Sequence, residues 1–120
     1  MSERNDIVFI HHILNAINNI KISTKGLSKE EFQNNNDIKD ACIRRLEIIG
    51  EAVKNISQEL KNKYPLINWK KIAGTRDRVI HSYFSVNLDI VWDIIKKDLP
   101  DLKEKMLKIR TELEDEEKEE

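Results

Sequence analysis

Apolar residues recur every three or four positions along most of this chain. Isoleucine and leucine follow that spacing from about Asn5 to Lys21, and a second run extends from Asn36 or Asp37 to about Lys61. This is the period of an α-helix that buries one face and exposes the other. The pattern therefore predicts two long amphipathic helices. The buried stripe of the second is expected to comprise Ile38, Cys42, Leu46, Ile49, Val53, Ile56 and Leu60.

Residues with capping side chains mark the starts of further helices. Ser28 opens a Ser-x-x-Glu sequence, which predicts a capping box and a short helical turn. Asn68 is expected to cap a helix that begins at Trp69, and Asn87 to cap the next one. Pro100 suits the first turn of a last helix. The stripe of the Trp69 helix would contain Trp69, Ile72, Ala73, Arg76, Val79, Ile80 and Tyr83, and that of the last helix Leu102, Met106, Ile109 and Leu113.

No segment shows the alternating pattern of a half-buried strand. Composition agrees, because 39% of the residues are hydrophobic, 36% are charged, and only 3 are glycine and 2 proline. Such a balance is typical of amphipathic helices and not of a sheet protein rich in turns. The predicted fold is all-α, an antiparallel up-and-down helical bundle with four core helices plus shorter ones.

The net charge of −1 conceals an asymmetry along the chain. Residues 112–120 hold seven carboxylates and one lysine, a local charge of −6, so residues 1–111 carry 20 basic and 15 acidic residues. We predict a single folded domain over 1–111 and an acidic, disordered tail over 112–120. A mildly basic body is compatible with an RNA substrate or an acidic partner.

Cysteine and histidine usage indicates a cytoplasmic protein without metal or cofactor. Cys42 is alone, so an intrachain disulfide is excluded. The N-terminal segment resembles neither a signal peptide nor a membrane span, and no membrane association is expected. His11 and His12 are adjacent and would point about 100° apart on a helix, whereas paired metal ligands stand three or four residues apart.

The segment from Arg76 to Phe84 carries the candidate chemistry. Arginine is rarely buried unless it is paired or used, yet Arg76 falls on a predicted packed stripe. A guanidinium can hold a phosphate in a two-pronged contact, and an imidazole moves protons near neutral pH. Arg76 and His81 together thus supply what phosphodiester chemistry requires. Asp77 stands four residues before His81 and shares its helix face, where the carboxylate can orient the imidazole.

Structural roles for the same residues remain open. Arg76 could pair with Glu47 or Glu51, and Tyr83 could be an aromatic residue at the edge of the core. Arg76 and His81 lie about 140° apart around a helix axis, so they could meet only at the edge of a packed interface. Gly50 costs a helix about 1 kcal/mol relative to alanine, which predicts a close approach by another helix at that point.

Several motifs in order resemble the HepT-like proteins of the HEPN superfamily over about residues 7–110. They are Ile49-Gly50-Glu51-Ala52, then Tyr64-Pro65, Trp69, Ile72-Ala73-Gly74 and Arg76-Asp77-Arg78, then His81 and Tyr83-Phe84, then Val91-Trp92 and Asp98-Leu99-Pro100. The resemblance implies a metal-independent endoribonuclease that acts across a homodimer, with Arg76 and His81 as the catalytic pair and Asp77 in support. Many relatives carry Asn where this chain has Asp77, and a carboxylate suits a phosphate site less well than an amide.

The resemblance also implies a biological setting. Such proteins are toxins of type II or type VII-like toxin–antitoxin systems, and a minimal nucleotidyltransferase antitoxin silences them. The antitoxin transfers AMP to the motif tyrosine, which is Tyr83 in this chain. The alternative is a non-catalytic helical dimer that binds the nucleotidyltransferase and is modified by it.

Overall fold

Helices account for nearly all of the structure. The computed structural model describes residues 2–84 and 88–119, with side chains for 5–81 and 89–118, and these ranges contain no strand. The all-α prediction is confirmed. None of the described helices is long and apolar enough to cross a membrane. The elements are α1 Ser2–Thr24, α2 Lys29–Asn34, α3 Asn36–Asn55, α4 Gln58–Lys63, α5 Trp69–Ala73, α6 Thr75–Phe84, α7 Leu88–Asp93, a π-helical segment Ile94–Asp98, and α8 Leu99–Glu119.

The core lies where α1 packs along α3, with α8 against α1 and α6 against α3. The predicted stripes of α1 and α8 face this core, and both are buried except for Ile7 at the start of α1, which was predicted in the stripe and is half-buried. In the shorter elements, the capping box of Ser28 and the Asn68 cap are both present. Asn87, the other predicted cap, lies outside the described residues. The stripe residues of the two long helices are Ile10, Leu14, Ile17 and Ile20 in α1, and Leu102, Met106, Ile109 and Leu113 in α8.

The prediction of one helix from residue 36 or 37 to 61 was wrong, because the chain breaks between α3 and α4. Asp6, which is 1% exposed, accepts hydrogen bonds from the backbone N–H of Ser57 at 2.8 Å and from its hydroxyl at 2.6 Å. The Ser57 oxygen in turn accepts from the N–H of Leu60 and caps α4. The Asp6 side chain on α1 thus stabilises the end of α3 and the start of α4. The apolar stripe continues across this break and gives no sign of it.

We expect Asp6→Ala to lower the free energy of unfolding by about 1–3 kcal/mol, since it removes the acceptor of the half-buried Ser57 N–H and hydroxyl. Urea unfolding followed by circular dichroism measures this loss. Glu3→Ala, which removes a carboxylate from the same helix, is the charge-matched control. A loss below about 0.5 kcal/mol, within the range of ordinary surface substitutions, would contradict the role assigned to Asp6.

The prediction of one continuous helix from Trp69 through Tyr83 was also wrong, because α5 and α6 are separated at Gly74. The indole N–H of Trp69 donates to the carbonyl of Tyr64, which fixes the start of α5. The break lies directly over Gly50 of α3: a Cβ at Gly50 would come within 3.2 Å of the Ala73 carbonyl oxygen. The close approach predicted from Gly50 is confirmed, and it sets the position of α6 on α3.

The last part of the chain is nearly continuous helix. The N–H of Leu99 donates to the carbonyl of Ile94, five residues earlier, which is the π-helical pattern. Pro100 then occupies the first turn of α8, as predicted. The acidic segment 112–120 lies at the C-terminal end of this helix, which is described to Glu119. Its Leu113 is buried, and Glu112 accepts a hydrogen bond from the hydroxyl of Tyr64.

Candidate active site on helix α6

Arg76 lies in the first turn of α6 with 43% of its side chain exposed. The prediction that it occupies the packed stripe was wrong. Thr75 and Val79 face the core instead, at 8% and 0% exposure. Arg76 is one residue after Thr75 and three before Val79, so it lies about 100° and 60° around the helix from them, at the edge of the buried face.

Glu51 holds the Arg76 guanidinium in place. One of its carboxylate oxygens lies 3.3 Å from Nη1 of Arg76, and the same oxygen lies 3.7 Å from Nζ of Lys54. Of the two partners considered from the sequence, Glu51 therefore makes the contact. Gly50 permits it, because a Cβ there would lie 3.4 Å from the Cβ of Arg76. The pair is half-exposed, so its contribution to stability is about 1 kcal/mol or less.

An open groove runs beside Arg76 between α1, α3 and α6. It places two guanidinium groups, Arg44 and Arg76, near two carboxylates and the imidazole of His12. The position of His12 in this groove was not predicted from the sequence, where its spacing from His11 bears only on metal binding. No local spacing indicates it, because only the packing of α1 on α3 brings His12 there. The lining residues are Phe9, His12, Arg44, Glu47, Ile48, Glu51, Ala52, Asn55 and Arg76.

Asp77 and His81 are both exposed on other faces of α6. Among the described side chains, no hydrogen bond or ion pair joins them, and His81 does not line the Arg76 groove. The backbone of Tyr83 belongs to α6, but its side chain lies outside the described residues. Within one chain, the structure thus sets Arg76 beside a groove and leaves His81 open to solvent.

Cys42 is not available as a nucleophile. Burial raises the pKa of its thiol to about 11, although the charge of Arg45 opposes the shift. The thiolate is the reactive form, so this cysteine remains an inert part of the core. In the described part of the chain, no group of three or more His, Cys, Asp or Glu could hold a metal ion.

Comparison with known proteins gives matches to a family model and to curated relatives. The family model, described as "Ribonuclease HepT-like", matches residues 13–109. A "Putative RNase" of Methanocaldococcus jannaschii is 44% identical over 115 residues, which cover 96% of this chain and 99% of the relative. A "Probable ribonuclease HepT" of Thermococcus cleftensis is 40% identical over 102 residues, which cover 85% and 93%.

A longer relative matches equally well. The "Gamma-glutamylcyclotransferase and putative RNase" of Methanocaldococcus jannaschii is 45% identical over 111 residues, or 92% of this chain. The match covers 50% of that relative, so this chain spans about half its length. No solved structure gives a significant match.

Proposed function

This chain belongs to the ribonuclease HepT-like family, and we propose on that basis that it is an endoribonuclease that cleaves RNA without a metal ion. One observation carries the proposal. The half-exposed guanidinium of Arg76 lies beside a groove, where a weak surface ion pair with Glu51 holds it. The exposed imidazole of His81 is on the same helix as Arg76.

Arg76 would bind the phosphate at the cleaved bond. Its contact with Glu51 is a surface ion pair, which is worth little in water. A phosphate offers a two-pronged, charge-assisted contact that is stronger than this pair. Glu51 can therefore orient the guanidinium in the free protein and share it with an RNA phosphate in the complex.

His81 would move the protons of the reaction. The 2′-hydroxyl of one nucleotide attacks the adjacent phosphorus, and the bond from phosphorus to the 5′-oxygen of the next nucleotide breaks. An imidazole takes the proton from the 2′-hydroxyl, and a protonated imidazole supplies one to the departing 5′-oxygen. The products are a 2′,3′-cyclic phosphate and a 5′-hydroxyl. Asp77, four residues before His81, would orient the ring by a hydrogen bond formed in the RNA complex, since the two side chains make none in the free chain.

The active form would be a homodimer. Arg76 and His81 point to different faces of α6, so one chain does not close a cleft around both. The face of α1 and α3 that bears the groove also exposes Val8 at 48% and Ile48 at 36%. A second copy covering these side chains would remove apolar surface from water and could bring its own His81 to the groove.

The partner would be a minimal nucleotidyltransferase antitoxin in the cytoplasm, with this chain as the toxin. The Tyr83 phenol oxygen would attack the α-phosphorus of ATP, forming AMP-tyrosine and releasing pyrophosphate. Tyr83 stands seven residues after Arg76 and so on the same face of α6, where the new phosphodiester would compete with RNA for the guanidinium. If the protein does not cleave RNA, the non-catalytic dimer that binds this partner is the second candidate.

Cleavage in the presence of a chelator tests the enzymatic proposal. We expect the purified protein to cleave a labelled single-stranded RNA in excess EDTA, with products that end in a 2′,3′-cyclic phosphate. Activity that stops in EDTA and returns with magnesium would contradict the metal-independent mechanism. No cleavage under either condition would reject the ribonuclease proposal and favour the non-catalytic dimer.

A further inference from the structure

A second pocket, away from Arg76, lies between the C-terminal end of α1 and the start of α8. We call it the lysine pocket, because four lysines surround a largely apolar floor. The rim is formed by Lys21, Lys25, Lys96 and Lys103, and the floor includes Ile17, Ile20, Ile95, Leu99 and Pro100.

Two lysines come from each side of the pocket, one pair from the end of α1 and the other from the π-helical segment and α8. Lys21 lies in the last turn of α1, and Lys25 follows directly after its end. On the other side, the π-helical segment carries Lys96, whose Nζ lies 4.6 Å from the ring centroid of Trp92. Lys103 follows in the second turn of α8. π-helical turns are costly and occur often at functional sites.

The described residues do not balance the charge around the lysine pocket. The protein has 22 acidic residues for 21 basic ones, yet no carboxylate is among the described residues that line this pocket. The described side chains also provide no ion pair to any of its four lysines.

A neighbouring pocket shows the contrast. It is also lined by basic residues, but Asp98 and Asp101 stand among them. Lys105 lies 2.8 Å from Asp101, and Arg78 lies 4.0 Å from Asp98. Like charges repel one another, so the four lysines, which have no ion pair in the described part of the chain, raise the electrostatic energy of the folded chain. The ion pairs of the neighbouring pocket avoid this cost.

We infer that the lysine pocket binds the phosphodiester backbone of the RNA substrate at a position separate from the cleaved bond, an inference that rests on the proposed function. Single-stranded RNA matches the pocket on both counts. Its successive phosphates suit the four lysines, and the apolar face of a base suits the aliphatic floor. An acidic peptide, such as residues 112–120 of a second copy, is the competing occupant.

The test is the salt dependence of RNA binding. With a labelled single-stranded 2′-O-methyl RNA, which lacks the attacking hydroxyl and is not cleaved, we compare the parent with K21Q/K25Q/K96Q/K103Q in a His81→Ala background by fluorescence anisotropy. If each lysine neutralises one phosphate, the slope of log K against log salt falls in magnitude by about 3, and affinity at low salt falls at least tenfold.

The matched control is K29Q/K63Q/K97Q/K105Q, which removes the same charge from lysines that already have a carboxylate within 4.0 Å. We expect its binding to stay close to that of the parent. Equal losses in the two variants would overturn the inference, because net charge alone would then account for them. Unchanged RNA affinity with weaker self-association would overturn it in favour of the acidic tail.

The same experiment separates this inference from the proposed function. Binding is measured without any cleavage, so a protein that never cleaves RNA can still show the lysine-dependent loss. The protein could instead cleave RNA while replacement of the four lysines leaves its RNA affinity unchanged. That result would keep the ribonuclease proposal and reject the lysine pocket as an RNA contact.

Discussion

Replacement of His81 by alanine is expected to reduce the rate of RNA cleavage by about 10²–10⁴-fold, the usual contribution of a positioned general acid or base. The imidazole is exposed at the end of α6 and makes no hydrogen bond to the described part of the chain. Its loss should therefore leave the fold and the stability unchanged. Initial rates on a labelled RNA in EDTA, beside a circular dichroism melting curve, measure both quantities.

Two other histidines provide the controls. His11→Ala removes an exposed imidazole that does not line the Arg76 groove, and it should leave cleavage unchanged. His12 does line that groove. Cleavage could persist in pure His81→Ala protein and be lost in His12→Ala. That result would assign the proton transfer to His12 on α1 instead of His81 on α6. Cleavage that survives both changes would reject histidine as the acid or base.

Modification of Tyr83 is expected to abolish cleavage. Incubation with the proposed nucleotidyltransferase antitoxin, ATP and magnesium should add the mass of AMP to the intact protein. Tyr83 stands seven residues after Arg76 on the same helix, and thus on the same face, so the added phosphate would repel the RNA phosphate that Arg76 is proposed to bind. Intact-mass spectrometry and the cleavage assay on the same sample measure the extent of modification and the loss together.

The chain offers a matched control, because it has only two tyrosines. Tyr64 donates its hydroxyl hydrogen bond to Glu112, which occupies that oxygen. The mass gain should persist in Tyr64→Phe and disappear in Tyr83→Phe. A gain that persists in Tyr83→Phe would refute this tyrosine as the acceptor, and no gain in the unaltered protein would remove the partner's proposed chemistry.

The periodic pattern of the chain predicts much of the fold. The buried faces of α1, α3 and α8 follow from residues three and four apart, and the Ser28 capping box follows from a four-residue pattern. Gly50 predicts a close helix contact, since little else justifies a glycine in such a helix. These features depend on interactions within one helix or on the absence of a single Cβ. They can therefore be inferred without knowledge of which elements are neighbours.

The breaks in the helices could not be inferred this way. The end of α3 depends on Asp6, which lies on another helix and takes the hydrogen bonds of Ser57. The apolar stripe continues across the break through Ile56 and Leu60, both buried, so the pattern alone predicts a longer helix. A helix stops where a competing partner satisfies its backbone, and that partner can be remote in the chain.

The surroundings of Arg76 show most clearly which features follow from the sequence and which from the tertiary structure. The sequence by itself determined that Arg76 and His81 stand five residues apart on one helix, that another helix comes close at Gly50, and that the chain resembles one family. Only the tertiary structure decided that Arg76 faces solvent, that Glu51 and not Glu47 holds it, and that His12 shares its groove. The physical reason is that spacing sets the angle between side chains on one helix, whereas the packing of α1 and α6 on α3 sets what those side chains meet.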